Sequence, residues 1–373
     1  MSPEPSLLWG PLPADTPYWS AEADDCLRCV QVRVETHDVK TFVFAGLGAD
    51  GGRRRFHYLP GQFGLFEFRI DGVMVNRCYT WSSSPTRPDT VSITVKRVPG
   101  GVVSHWLHEH LLPGVTLQAL GPSGVFSCFD RPIAPYLFVS GGSGITPLMS
   151  MTRALHDLPQ QADVVFVHCA RTPDDLVFAA ELDQLAHNMP SLRLLLVCEE
   201  RTGQLGWPGV VGRLDLGKLQ ALVPDFKTRQ TYTCGPPPFM TAVRAMLQAA
   251  DYDMAQYAEE SFDFATLQAG LGEEAAGGEA EAKAEEEAGW VAQLQSGREF
   301  TCLPSETLLQ AAKRAGLRWP FSCANGMCGT CKVKLLSGQV DMQHNGGIRQ
   351  RDINAGWILP CCSRPLSHVV IER

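Results

Sequence analysis

The chain has 373 residues, 45% of them apolar, with 13 cysteines and a formal charge of -8. That length exceeds one compact core and calls for two or three domains, while the acidic balance speaks weakly against a nucleic-acid partner. Most of the charge sits between Gly270 and Gly289, where seven glutamates meet Lys283 alone, so the remainder is nearly neutral and no steering patch can be read from the total.

The opening residues, MSPEPSLLWGPLPADTPYW, put proline and acid where a secretory leader would carry basic and then apolar residues. No window approaches the roughly 18 unbroken apolar residues of a membrane span. The scattered cysteines therefore read as reduced thiols plus one metal site, and a cytoplasmic protein without membrane insertion is expected.

From Cys26 to about Phe129 the pattern is short β runs. CLRCVQVRVET, TFVFAG, QFGLFEFRI, VMVNRCYTW and TVSITVKRV are alternating or β-branched stretches parted by Gly, Pro and Asp, the signature of an antiparallel barrel or sandwich. One helix is evident, SHWLHEHLL from Ser104, ended by Pro113-Gly114. It follows Gly100-Gly101, and a helix start after a glycine pair offers unpaired N–H groups to an anion. RCYTWSSSP, Arg77 to Pro85, puts Arg77 and Tyr79 on one strand face with Cys78 and Thr80 on the other, a pattern that by itself also fits an ordinary surface strand.

From Pro135 the period changes. PYLFVSGGSGITPLMSMTRAL is an apolar strand, a glycine-rich turn and a helix; GGSG is not GxGxxG, so the resemblance is to the physics of a helix N-terminus holding a phosphate. Further strand and helix units follow: ADVVFVHCA with a helix around Leu176 to His187, LRLLLVC leading to LDLGKLQALV, and TYTCGPPPFM with a helix from about Phe239 to Ala250. Strand alternating with helix predicts a doubly wound parallel sheet whose ligands lie at the strands' carboxyl ends, where Gly141 to Gly144 and Cys234 to Pro238 fall.

After Phe262 the pattern dissolves into an acidic Ala/Gly/Glu segment that reads as a mobile tether, partly helical at most. The last stretch, WVAQLQSGREFTCLPSETLLQAAKRAGL, predicts a hairpin and then a helix capped at Ser305, with Leu308, Leu309, Ala312 and Ala315 inward and Gly316 as its stop. CANGMCGTC follows, spacing Cys323, Cys328 and Cys331 as Cys-x4-Cys-x2-Cys, and GWILPCC returns a cysteine pair. That spacing matches the plant-type [2Fe-2S] site. Gly326 and Gly329 suit a loop that wraps a compact inorganic core. Structural zinc is the alternative, and a disulfide framework belongs to small secreted domains.

With these motifs in order, residues 26 to 262 resemble the ferredoxin-NADP reductase superfamily, and the remainder resembles a fused plant-type ferredoxin. The expected fold is multidomain: an antiparallel FAD-binding β-barrel (26–130) after an N-terminal extension (1–25), an α/β doubly wound NAD(P)-binding domain (131–265), an acidic linker (266–289) and an α+β, β-grasp ferredoxin domain (290–373).

By the resemblance, Arg77 meets the FAD pyrophosphate, Tyr79 the isoalloxazine and Thr80 the flavin N5 region. Cys78 lies in the same motif, and Gly101, Val102, Val103 and Ser104 help hold the pyrophosphate. GGSGITP resembles the nicotinamide-nucleotide turn, assigning Gly141, Gly142, Gly144 and Thr146. CGPPPF puts Gly235 and Pro236 beside the nicotinamide and Cys234 near its reactive carbon, so Thr80 and Cys234 are the candidate catalytic residues. EESF makes Phe262 the aromatic over the flavin. The cluster ligands are Cys323, Cys328, Cys331 and, by the family's alignment of ILPCCSRP, Cys361 rather than Cys362.

RCYTWSSSP, VKRVPGGVVSHWL, HCARTPDDLVFAAEL and EESF resemble reductase components of Rieske-type oxygenases, including those demethylating glycine betaine, and the NADH oxidoreductases of hybrid-cluster protein. Thr80 and Trp81 depart from the more familiar serine and leucine of that motif. The resemblance implies electron transfer from NADH through FAD and a [2Fe-2S] cluster to a partner protein, with an oxygenase component favoured. A hybrid-cluster protein reductase, a stand-alone reductase of a small oxidant and a redox-sensing module are the alternatives. NADH is favoured over NADPH because Arg171 and Thr172 are offset by Asp174 and Asp175.

Cys26, Cys29, Cys128, Cys169, Cys198 and Cys302 read as buried small hydrophobes. His105, His108 and His110 read as solvated or capping residues, and His168 as structural.

Overall fold

The computed structural model describes residues 11–130, 135–159, 162–201, 207–262, 289–317 and 331–372, with Trp319, Gly326 and Gly329. The chain divides into two compact units, Met1–Phe63 with Tyr79–Leu117 and Gly124–Phe262, and Gly64–Cys78 with Gln118–Ser123 and Asp263–Arg373.

The N-terminal third supplies β1 (Cys26–Val34), β2 (Val39–Leu47), β3 (Arg53–Arg54), β4 (Phe63–Ile70), β5 (Val73–Thr80), β6 (Val91–Lys96), α1 (Val102–His110) and β7 (Thr116–Ser123). In the first unit β2 pairs antiparallel with β1, β3 and β6, and β1 also pairs with β7 at Leu27↔Leu117. The alternation read from the sequence puts Phe42, Phe44, Ile93 and Leu107 fully inside; each such side chain contributes about 1.5–3 kcal/mol by leaving water. The strand-poor run TLQALGPS was not anticipated as β7, since it lacks β-branched residues after Thr116. α1 starts at Val102, two residues before the expected Ser104, because Ser104 turns back into the entry loop: Val98 N–H donates to its Oγ at 3.1 Å and the Oγ donates to Gly101 O at 3.0 Å.

The rest of this unit is β8 (Tyr136–Gly141), α2 (Ile145–Asp157), β9 (Val164–Ala170), α3 (Ala179–Asn188), β10 (Leu192–Cys198), β11 (Val210–Val211), α4 (Leu216–Leu222), β12 (Gln230–Cys234), α5 (Pro237–Ala249) and β13 (Tyr257–Glu260). The sheet is parallel in the order β11-β10-β9-β8-β12-β13. Strand direction of growth reverses between β8 and β12, which makes their carboxyl ends the switch point. Both faces are buried. Tyr136 and Phe138 pack toward α2 and α3, while Leu137 and Val139 pack toward α5. α3 begins three residues later than expected. The Thr172–Asp175 capping box and Pro173 close a separate turn first, and Phe178 takes the left-handed region at φ 60°. α5 starts at Pro237, two residues early, because proline fits the first helical turn.

Barrel-motif and nucleotide-domain residues are joined by a buried cation. The Arg153 guanidinium donates to both Glu181 oxygens, at 2.8 and 2.6 Å, and to Ser82 O, and stacks 4.7 Å over the Phe178 ring.

In the second unit, β14 (Trp290–Leu294), β15 (Glu299–Cys302), α6 (Leu308–Arg314), β16 (Val333–Ser337), β17 (Val340–Met342), α7 (Gln350–Asn354), β18 (Trp357–Ile358), β19 (Ser363–Pro365) and β20 (Val369–Glu372) form a mixed sheet β15-β14-β20-β16-β18 and a β17-β19 pair. The cap of α6 is Thr307, not Ser305. Gln310 stands three residues on and completes a capping box. Ala311 rather than Ala315 faces inward beside Leu308, Leu309 and Ala312. The acidic tether and the cluster-loop residues Cys323 and Cys328 lie outside the described residues.

Candidate active site and cluster site

Gly141 and Cys234 end the adjacent strands β8 and β12. The turn between β8 and α2 passes so close to β12 that a Cβ on Gly144 would lie 2.4 Å from Cys234 O. Glycine is required there by proximity, since its φ is an ordinary -66°. Gly142 instead takes φ 52° with open space around it, a conformation that turns peptide N–H groups outward at the start of α2. Thr146 is buried, its hydroxyl donating to Ser143 O at 3.3 Å.

A cavity of 360 Å³ opens at this point, lined by Gly141–Ser143, Pro236 and Phe239 on one side and by Lys96, Arg171, Asp175, Glu199 and Arg213 on the other. Its three cations are already compensated: Lys96 by Asp38 at 3.1 Å, Arg171 by Asp175 at 3.4 Å and Arg213 by Glu199 at 3.1 Å. The offset between Arg171 and Asp175 was legible from the sequence. Glu199 and Arg213 were missed, although Glu199 directly follows a predicted apolar strand.

Cys234 and Glu260 are partners in the β12–β13 register. Cys234 is fully buried, and loss of solvent, with the Glu260 carboxylate adding to it, pushes its thiol well above the ordinary range. A thiol so held stays protonated and is a poor nucleophile. Burial raises the Glu260 carboxyl to about 8, and its Oε2 finds no hydrogen-bond partner among the described residues. The sequence reading passed over Glu260 in EESF and chose Phe262, which is 37% exposed. The missed signal was an acid ending a strand beside the CGPPPF turn.

On β5, Thr80 is 5% exposed and its hydroxyl also finds no partner among the described residues. Arg77 is exposed, with one guanidinium nitrogen bonded to Asn76 O at 2.7 Å and other donors to spare. Cys78 and Tyr79 are half-buried. At α1, Val103 and Ser104 are buried and Val102 exposed; the Ser104 hydroxyl is engaged in the turn, which leaves the first backbone N–H groups of the helix as the anion donors. A buried Thr80 hydroxyl and a buried Glu260 carboxyl oxygen without a partner among the described residues each suit a bound group that brings polar atoms of its own, as FAD does.

In the second unit Cys331 and Cys361 are 2% and 6% exposed, packed on one side against Leu308, Leu309 and Leu359. Gly326 N–H donates to Cys361 Sγ at 3.2 Å. Gly326 and Gly329 take φ 77° and 63°, so both hold the left-handed conformation the cysteine spacing called for. Cys362 is half-buried and its thiol donates to Leu359 O at 3.5 Å. A buried thiol with a backbone donor on its sulfur, as at Cys361, suits thiolate ligation of iron.

The histidines and cysteines that the sequence assigned to structure are found in structural surroundings. His105, His108 and His110 bond backbone carbonyls on or beside α1. Fully buried His168 shares a 2.7 Å bond with Ser140, and burial drops it to about 3, so it is neutral. Cys29, Cys198 and Cys302 are pushed up to about 11 by burial and Cys169 to about 12, which keeps them as thiols. Cys26 and Cys169 are only half-buried, because each stands near a strand end.

Three family models match in this order: an oxidoreductase FAD-binding domain over residues 27–128, an oxidoreductase NAD-binding domain over 138–245 and a 2Fe-2S iron-sulfur cluster binding domain over 291–366. The chain is 45% identical to the glycine betaine monooxygenase reductase subunit of Chromohalobacter salexigens over 96% of this chain and 98% of that protein. It is 39% identical to the stachydrine N-demethylase reductase subunit of Rhizobium meliloti over 95% and 98%. Among solved structures, phthalate dioxygenase reductase shares the fold at a TM-score of 0.54 and 22% identity, covering 95% of this chain and all of that one. The chain therefore belongs to the family of three-part oxidoreductases, FAD-binding, NAD-binding and [2Fe-2S] domains in one polypeptide, that are the reductase subunits of oxygenases.

Proposed function

We propose that this chain draws electrons from NADH and delivers them to a Rieske-type terminal oxygenase of the kind served by the glycine betaine monooxygenase and stachydrine N-demethylase reductase subunits. The observation that carries this reading is the combination of a cleft at the β8/β12 switch point with buried Cys331 and Cys361, the latter accepting a backbone N–H on its sulfur, in a chain 45% identical to one such subunit. Bound flavin would take a hydride's two electrons from the nicotinamide and release them one at a time to the cluster.

The chain's own residues bind, orient and exclude water. Gly142 and the start of α2 take the nicotinamide nucleotide's pyrophosphate, while Gly235 and Pro236 bound the nicotinamide. Cys234 stands behind them at the end of β12 as a neutral thiol. Arg77 and the first N–H groups of α1 hold the flavin pyrophosphate, Tyr79 and Phe262 cover its ring, and Thr80 donates to the flavin. Cys323, Cys328, Cys331 and Cys361 hold the cluster. NADH is the donor because each cation of the cleft already faces a carboxylate. The domain limits 26–130, 131–265, 266–289 and 290–373 are proposed with these roles. Among the described residues no helix is long and apolar enough to cross a membrane, and the protein is proposed to work in the cytoplasm.

The test is reconstitution. Purified protein should contain flavin and two irons per chain, and should consume NADH with glycine betaine only when a glycine betaine oxygenase component is added. NADH consumption indifferent to that component would refute the reading.

A further inference from the structure

β4 has one face in a core and one that should meet water. Phe66, Phe68 and Ile70 are 0, 1 and 9% exposed, and a period of two turns Leu65, Glu67 and Arg69 the other way. Arg69 is exposed as expected. Leu65, however, is 2% exposed, and the Glu67 side chain only 25%.

What covers them lies in the same compact unit, the cluster module. A Cβ on Gly329, inside the cysteine motif, would lie 3.6 Å from Leu65 Cδ2 and 3.8 Å from Asn76 Nδ2 of β5. Gly346 comes so close to the end of β7 that a Cβ there would lie 2.9 Å from Ser123 Cβ. Arg349, its side chain 11% exposed, brings its guanidinium to 3.8 Å from the Glu67 carboxylate. Gly346 sits between Asn345 and Gly347, whose N–H groups donate to Gly326 O at 3.1 and 2.9 Å. Among the described residues, the surface facing the ribbon is thus Gly329 of the cysteine motif with Gly346 and Arg349 of the loop that bonds to Gly326.

We infer that the outer face of β4, β5 and the end of β7 is an internal dock for the cluster module, and that the face it covers, Gly329, Gly346 and Arg349, is also the one an external acceptor protein must engage. Docking and delivery then exclude each other. The inference rests on the reading above that the acceptor is a protein. The physical reason is the thickness of the cover. Cys331 and Cys361 share a core with Leu308, Leu309, Ala311, Ala312 and Leu359, whereas two of the three residues named on the docked side, Gly329 and Gly346, have no side chain to add to the cover. Electron tunnelling falls steeply with distance, so donor and acceptor both need that thin side. An acceptor fitting it presents a carboxylate to Arg349 and an apolar side chain to Gly329, as Glu67 and Leu65 do.

The test locks the dock. Ser123→Cys with Gly346→Cys places two Cβ atoms within about an ångström of the ~3.8 Å that a disulfide needs. Bridge formation is read by peptide mass in the holoprotein. The bridged protein is expected to bleach the cluster with NADH at near the wild-type rate but to reduce cytochrome c at least tenfold more slowly, recovering once the bridge is reduced and the reductant removed. Separately, Arg349→Glu should raise hydrogen exchange in residues 64–78, and Glu67→Arg added to it should restore protection. Undiminished cytochrome c reduction by the bridged protein overturns the shared face, and loss of cluster bleaching overturns productive docking. Failure of the bridge to form together with unchanged exchange in Arg349→Glu overturns the dock itself. If the acceptor is not a protein, the wild type with a terminal oxygenase component fails first, which separates that outcome from a failed dock.

Discussion

Cys234 and Glu260 stand opposite each other at the carboxyl ends of adjacent parallel strands, and both are held in their neutral forms by burial. The pair leaves these two strand ends uncharged at neutral pH.

The Glu260 proton is measurable. An unfolded glutamate releases its proton near 4.5, whereas the folded protein holds it to about 8. Between those values the folded state carries the extra proton, so stability falls as pH rises through the window, by up to about 1.4 kcal/mol per pH unit. Urea denaturation of the cofactor-free protein at pH 5 and pH 8 should show this slope shrinking in Glu260→Gln. An unchanged slope would mean that Glu260 is solvated.

Glu199 pairs with Arg213 on the lining of the cleft, and nucleotide choice is expected to depend on that pair. Removing the carboxylate in Glu199→Gln frees a guanidinium at the cleft, and a charge-assisted bond to a 2'-phosphate is worth about 1.5–3 kcal/mol. The ratio of kcat/KM for NADPH over NADH should rise about tenfold or more. A ratio that stays put places the 2'-position elsewhere.

Cys361 and Cys362 are separated by iron content. Cys361→Ser should lose iron and the cluster's visible absorbance, as should Cys328→Ser, while Cys362→Ser keeps both. Cys328→Ser should still pass electrons from NADH to a hydride-accepting dye but not to cytochrome c. Iron retained in Cys361→Ser and lost in Cys362→Ser would reverse the assignment.

Arg153 is a stability residue. Arg153→Met strands the Glu181 carboxylate, which its guanidinium holds below the ordinary carboxylate range against the cost of burial, and, with the Glu181 side chain 35% exposed, should cost about 1–3 kcal/mol. Adding Glu181→Leu should recover most of that in urea denaturation. A loss under 1 kcal/mol would show that water replaces the pair.

The parts legible in the sequence were those carried by local rules. Alternation in CLRCVQVRV and TFVFAG marked β1 and β2, and the strand–turn–helix rhythm from Pro135 marked the parallel sheet. Helix starts were read less well, at Ser104, Leu176, Phe239 and Ser305, because a capping box at Thr307, a proline first turn at Pro237 and a left-handed Phe178 each moved a boundary by two or three residues. β7 escaped because its pattern makes sense only once β1 is beside it.

The candidate site divides the same way. Cysteine spacing and the glycines that need a positive φ are properties of the chain in order, so the cluster motif, RCYTWSSSP, GGSGITP and CGPPPF stood out unaided. Glu260 and Glu199 did not. An acid at a strand end is unremarkable until the parallel register sets Glu260 against Cys234 and the loop after β10 brings Arg213 to Glu199. The same holds for Leu65 and Gly329. Residue types and their spacing determined which cofactors this protein is built for, because those depend on local geometry. Which charges survive in the cleft, and which face of the cluster module is covered, only the tertiary structure decided, because burial and compensation depend on neighbours far away along the chain.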